Sequence, residues 1–114
     1  MGIGGVRMQD RFKFRFFETY NNTMLDCKEY DFNEILEGGK PVMQCTGLKD
    51  KNGELIYEGD IVKHSKSNQQ YKVQWNDKGF WQLDDYAMAR SAKFLEENYE
   101  VIGNIYENPE LLED

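Results

Sequence analysis

The segment from Met43 to Val62 limits what this chain can become more than any other stretch. It carries two turn signals, Asn52-Gly53 and Glu58-Gly59-Asp60, each followed by a short β-favouring apolar run. Asn-Gly between apolar runs is the strongest short-range hairpin signal, because a type I′ turn needs positive φ at both central positions. The spacing therefore predicts a hairpin that closes at Asn52 and Gly53 and feeds, through Gly59 and Asp60, into a further strand from Ile61. Tight turns joining short, bent strands favour a small closed barrel over a sandwich, which needs more strands.

The flanking sequence continues in the same style. Phe12, Phe14 and Phe16 alternate with Arg11, Lys13 and Arg15, which predicts a strand with the rings buried and the basic residues outward. A second strand is expected within Met24–Tyr30. Asp31 can cap a short helical turn that Gly38, Gly39 and Pro41 stop. After a strand at Val42–Thr46 and the hairpin, Ser65–Gln70 reads as an exposed loop. Tyr71, Val73 and Trp75 alternate along the next strand, and Phe80–Leu83 returns against it. Met88, Ala92, Leu95 and Tyr99 recur at helical spacing, predicting a helix over Tyr86–Asn98. Val101–Tyr106 is a closing strand, and Asn108-Pro109 begins a last helical turn.

Composition narrows the class. The 114 residues suffice for one domain with a small subdomain, and aromatics at 14% offset a modest hydrophobic share of 39%. The net charge is −7. From Glu96 onward there are seven acids and no Lys or Arg, and removing those seven leaves 14 acids against 14 bases. The body is neutral and the C-terminal segment carries the imbalance, so the global field does not favour nucleic acid. Cys27 and Cys45 have no metal spacing around them and read as reduced, partly buried thiols. No apolar run reaches the ~18 residues of a membrane span, and no membrane association, metal or cofactor is expected.

Three segments resemble the YopX family of phage and prophage proteins: residues 43–53, residues 56–62 and residues 101–111. The strand at Phe12–Phe16 matches the family's opening strand less closely. The resemblance runs over nearly the whole chain from about residue 11. It implies an SH3-like β-barrel preceded by a smaller N-terminal segment that packs on it, in a bacterial cytoplasm. The family has no established biochemical activity. Cys45 stands where similar proteins carry an aromatic ring, which implies different local packing. The expected organisation is thus a disordered leader over residues 1–10, a small N-terminal segment over 11–42, and a mainly β, SH3-like barrel over 43–114 with a short helix insertion.

Asp60 lacks a paired acid or base in the sequence and reads as a structural turn residue, as do Asn52, Gly53 and Gly59. His64, beside a polar loop, reads as solvated, and no nucleophile motif is present, so no catalytic residue is assigned. Tyr71, Trp75 and Phe80, with Lys63, Lys72 and Lys78 on the same strands and loop, form a candidate interaction surface. Small barrels with open edges self-associate, which points to a homo-oligomeric, non-catalytic interaction module, with an unidentified host or phage protein as a further partner. Two rivals are a nucleic-acid-binding regulator using that aromatic and lysine hairpin, and an acidic inhibitor of a host protein using Glu96–Asp114. Leu111 and Leu112 are apolar enough to dock on the barrel or on a neighbouring subunit.

Overall fold

The computed structural model describes residues 13–76, 80–83, 86–87 and 92–112. Among the described residues nine strands form two antiparallel sheets. The first contains β1 (Phe14–Glu18), β2 (Thr23–Asp26), β3 (Val42–Lys49) and β4 (Leu55–Tyr57), in the order β2-β1-β3-β4. The second contains β5 (Asp60–His64), β6 (Gln70–Asn76), β7 (Phe80–Leu83), β8 (Tyr86–Ala87) and β9 (Tyr99–Asn104), in the order β8-β7-β6-β5-β9. The molecule is mainly β, and the second sheet curls into a half-barrel.

Helix α1 (Phe32–Glu37) follows its local signals. The Asp31 carboxylate accepts the backbone N–H of Asn33 at 2.9 Å and that of Glu34 at 3.4 Å, satisfying two of the first-turn donors that a helix leaves open. Gly38 closes the helix through its N–H to the Glu34 carbonyl, and Gly39 leaves it at φ +69°. Ile35 turns inward to join Phe16 and Cys27, with Phe14, Leu25 and Val42 packed around them.

The other face of β1 is also covered, which corrects the alternating reading of that strand. Phe17 is buried, as Phe16 is, and stacks on Tyr106, ring centroids 5.4 Å apart. Lys13 is exposed as expected, but Arg15, on the Phe17 face, turns inward to Asp60. A Phe/basic alternation predicts a strand with one wet face, whereas β1 has α1 on one side and residues 57–60 and 106 on the other. Arg11 and Phe12 lie outside the described residues.

β3 belongs to two cores. Its first half pairs with β1 (Phe14↔Gln44 to Phe16↔Val42) and its second half with β4, the register shifting between Cys45 and Lys49 where Gly47 has φ +83°. Beyond that bulge Leu48 joins Ile56 of β4 against Val62, Val73, Leu83, Leu95 and Tyr99, the main core. Cys45 is fully buried between the two halves.

The helix expected over 86–98 gives way to a strand at its start. Tyr86 and Ala87 pair with Leu83 and Gln82, and among the described residues α2 spans Ala92–Asn98. Met88 lies outside the described residues. Leu95 does enter the core, but Tyr99 reaches it as the first residue of β9. A backbone ladder claimed Tyr86 and Ala87, and a short helix does not resist such competition by propensity alone.

At the C-terminal end Pro109–Leu112 form a 3-10 turn. The Asn108 side-chain oxygen accepts the N–H of Asn104 rather than capping that turn. Leu111 docks on the barrel at Gly103, where an added Cβ would come within 2.9 Å of Leu111 Cδ1 and 2.6 Å of Asn108 Oδ1.

Candidate functional site

Asp60, the carboxylate singled out at the entrance to β5, is 1% exposed and has both oxygens engaged. Oδ2 accepts the backbone N–H of Tyr57 at 2.8 Å, fixing the Glu58-Gly59 turn. The bond runs backward along the chain, not forward as an Asx turn would. Oδ1 takes an N–H from the Arg15 guanidinium, whose carbon lies 4.5 Å from the centre of the Tyr57 ring. Asp60 therefore has a partner 45 positions away in sequence, which corrects the reading of it as unpaired. Arg15 Nε is buried with no partner among the described residues.

The electrostatics of this knot are those of a fastening. Burial pushes the Asp60 carboxyl up, Arg15 and the Tyr57 N–H pull it down, and Asp50 adds a further upward push. Burial, helped by Cys45 and Asp26, pushes the Tyr57 hydroxyl up to about 12 against the pull of Arg15. A phenol so held stays protonated near neutrality, and the Asp60 carboxylate holds the Arg15 guanidinium on one oxygen and the Tyr57 N–H on the other.

Asp50 is the second buried carboxylate, and no sequence signal marked it. Its Oδ1 accepts the N–H of Asn52 at 2.8 Å and that of Glu54 at 2.9 Å, while Oδ2 accepts the N–H of Val101 at 2.8 Å. Gly53 donates to the Asp50 carbonyl and Lys51 donates to Tyr99. Only Gly53 in this loop takes positive φ, at +81°, so the type I′ turn is replaced by a three-residue loop with Gly53 in the left-handed position. Asp50 makes the difference, since its carboxylate holds two loop N–H groups while also capturing β9. At the second turn Gly59, φ +86°, donates to the Val73 carbonyl and accepts from Ile105.

Two clefts flank Leu55 and Tyr57. One, of about 540 Å³, is lined by Arg15, Glu54, Asp60 and Val101. The other, of about 380 Å³, is lined by Lys13, Phe14, Asp26, Cys27 and Lys28. Cys27 and Cys45 are free thiols, and burial pushes the Cys27 thiol up, with Asp26 adding to it, so it is a poor nucleophile. Among the described residues no three His, Cys, Asp or Glu side chains cluster as metal ligands, and no helix is long and apolar enough to cross a membrane.

Residues 19–113 match the family model described as YopX protein. The chain belongs to the YopX family. Among solved structures, this YopX-family chain is similar to protein EF1440 from Enterococcus faecalis, with a TM-score of 0.69 and 26% identity over 89% of this chain and 97% of that one. No curated protein matches it.

On this YopX-family framework the aromatic and lysine hairpin divides. Residues paired across antiparallel strands share a sheet face. Val62 pairs with Tyr71, Val73 with Leu83 and Trp75 with Trp81, on the face that holds the core. Lys72 pairs with Ile61 and Lys63 with Gln70, on the opposite face. The position of Phe80, paired with Asn76, falls on that opposite face. Lys78 lies outside the described residues. Tyr71 packs at the core margin against Tyr99, whereas Trp75 is 43% exposed. The rings of Tyr71 and Trp75 and the lysines therefore do not form one strip.

His64 and the tail are also fastened. His64, half-buried, accepts at Nδ1 the N–H groups of Lys66 at 3.1 Å and Ser67 at 3.3 Å, and its ring meets Tyr99 edge-on, so it organises the loop. Glu107 takes a hydrogen bond from Asn104 Nδ2 at 2.8 Å.

Proposed function

We propose that this YopX-family chain is a non-catalytic interaction module of phage or prophage origin, working in the bacterial cytoplasm, that binds a second copy of itself at the Trp75 end of the curled sheet. The observation that carries the reading is the gradient along β6. Val73 is 1% exposed and Trp75, two residues on and on the same face, is 43% exposed. An indole left half in water at the mouth of a core is the kind of anchor that dominates protein interfaces. Lys63 and Lys72 lie on the opposite face, so a base-stacking surface flanked by these lysines draws no support from the geometry.

Sedimentation velocity over a concentration series tests the proposal. A concentration-dependent dimer is expected, with Trp75→Ala weakening it at least about tenfold, the equivalent of about 1.4 kcal/mol. A monomer up to about 1 mM, where only contacts weaker than about −4 kcal/mol would escape, defeats self-association. An unchanged dimer in Trp75→Ala defeats the assignment of the surface.

A further inference from the structure

The N-terminal arm, from β1 through α1, is joined to β3 by the stretch Gly38, Gly39, Lys40 and Pro41. Apart from that link, the arm is held by non-covalent contacts among the described residues. β1 pairs with the first half of β3, Cys45 donates to the Lys13 carbonyl at 2.9 Å and Phe17 donates to the Pro41 carbonyl at 3.0 Å. Arg15 reaches Asp60 and Phe17 stacks on Tyr106. The arm's own core of Phe16, Cys27 and Ile35 is completed by Val42 of β3, so the arm cannot stand alone. The barrel in turn is left with Asp60 and the inward face of β3 uncovered when the arm departs.

We propose that the arm is exchanged between two copies of this chain, β1 of one molecule adding to β3 of the other. Each contact just named, except the one to Pro41 in the linker itself, is remade in such a pair with the same partner residues, so the closed and exchanged forms differ only in the linker with its own bonds and in the cost of association. The linker suits both. Gly39 sits at φ +69° with nothing near its missing Cβ, and glycine passes from that conformation to an extended one without steric cost. Four extended residues span at most about 14 Å, enough for two linkers to cross near a two-fold axis but not to let the arm drift free. The strand-to-strand mode is β-addition with a sequence-specific check, because only a strand that places a guanidinium opposite Asp60 neutralises that buried carboxylate. The exchange does not use Trp75, so it stands apart from the surface proposed above.

Charge reversal tests it. Arg15→Asp places two carboxylates together in one variant, and Asp60→Arg places two guanidiniums together in the other. Exchange cures both at once in a mixed pair. The new carboxylate at position 15 of one chain meets the new guanidinium at position 60 of its partner, and the unaltered Arg15 meets the unaltered Asp60. Both variants carry Trp75→Ala, and they are unfolded and refolded separately and together. The expected result is a one-to-one heterodimer by native mass spectrometry, melting in a single transition at the temperature of the Trp75→Ala parent, while each variant alone melts lower or fails to fold. A co-refolded mixture that contains no heterodimer, or that melts as the average of the two variants, overturns the proposal. Because the pair lacks Trp75, loss of the Trp75 contact leaves this outcome unchanged, and the two proposals fail separately.

Discussion

Arg15 shows how much of this fold hangs on single side chains. It carries a charge into the space between β1 and the β4–β5 turn, meets Asp60 there, and lies over the ring of Tyr57. Removing one member of such a pair leaves the other buried and uncompensated, so Asp60→Ala is expected to cost about 3–5 kcal/mol in urea melts. Arg15→Met behaves differently with pH. Without the guanidinium the Asp60 carboxyl, already raised by burial, rises further. The variant's deficit is therefore largest at neutral pH and shrinks as pH falls through the carboxylate range, where Asp60 is protonated in both proteins. A deficit independent of pH between 4 and 7 would show that Asp60 is not the group left uncompensated. Tyr57 provides a second titration. Its hydroxyl is held up to about 12 in the folded chain against 10.0 for a free tyrosine. Between those values the unfolded chain binds fewer protons than the folded one, so this group's contribution to stability falls as pH rises from 10 to 12. Ultraviolet titration should find one tyrosine ionising about two units late, and Tyr57→Phe should remove that step.

Elements were legible in the sequence where their causes are local. Asp31 capping α1, Gly38 and Gly39 ending it, and Gly59 redirecting the chain into β5 each depend on a few neighbouring residues. The β3–β4 loop was half legible. Gly53 takes the left-handed conformation that Asn-Gly foretells, but Asn52 does not, because the Asp50 carboxylate reshapes the loop around its own hydrogen bonds. Its third bond, to Val101, spans 51 positions and has no trace in local pattern. The same distance hid the partner of Asp60 and part of the division of the hairpin surface, since alternation separates Lys72 from Tyr71 but only strand register places Lys63 opposite Gln70, on the face away from Tyr71. Asp50→Ala strips three part-buried N–H groups of their acceptor, where one kept wholly from water would cost about 1–3 kcal/mol. It should cost several kcal/mol and raise amide exchange at Asn52, Glu54 and Val101 together. Asp50→Asn keeps an acceptor oxygen and should recover part of the loss. Gly103→Ala would drive a methyl against Asn108 and Leu111, and the expected loss is about 1–3 kcal/mol, with the Pro109–Leu112 turn displaced.

At the scale of the molecule, the two cores share one strand. Phe16, Cys27 and Ile35 build the smaller core against Val42 at the start of β3, while Leu48 near its end enters the larger one. Loss of the larger core removes the template on which β1 pairs, so the arm cannot outlast the barrel. The reverse does not hold with equal force, because β5, β6 and β9 pair with one another without help from the arm. Stability should therefore be graded inward from the arm. Native-state hydrogen exchange should show the amides of α1 and β2 opening at lower free energy than those of β5 and β6, in one group, with Phe16 and Phe17 joining that group. Arg15→Met should lower the opening energy of the arm without changing the gap between β5 and β6. If α1 and β5 instead exchange at the same free energy, the ion pair and the Phe17–Tyr106 stack bind the arm as tightly as the barrel binds itself. Arm exchange would then demand global unfolding, and dimers would form only on refolding.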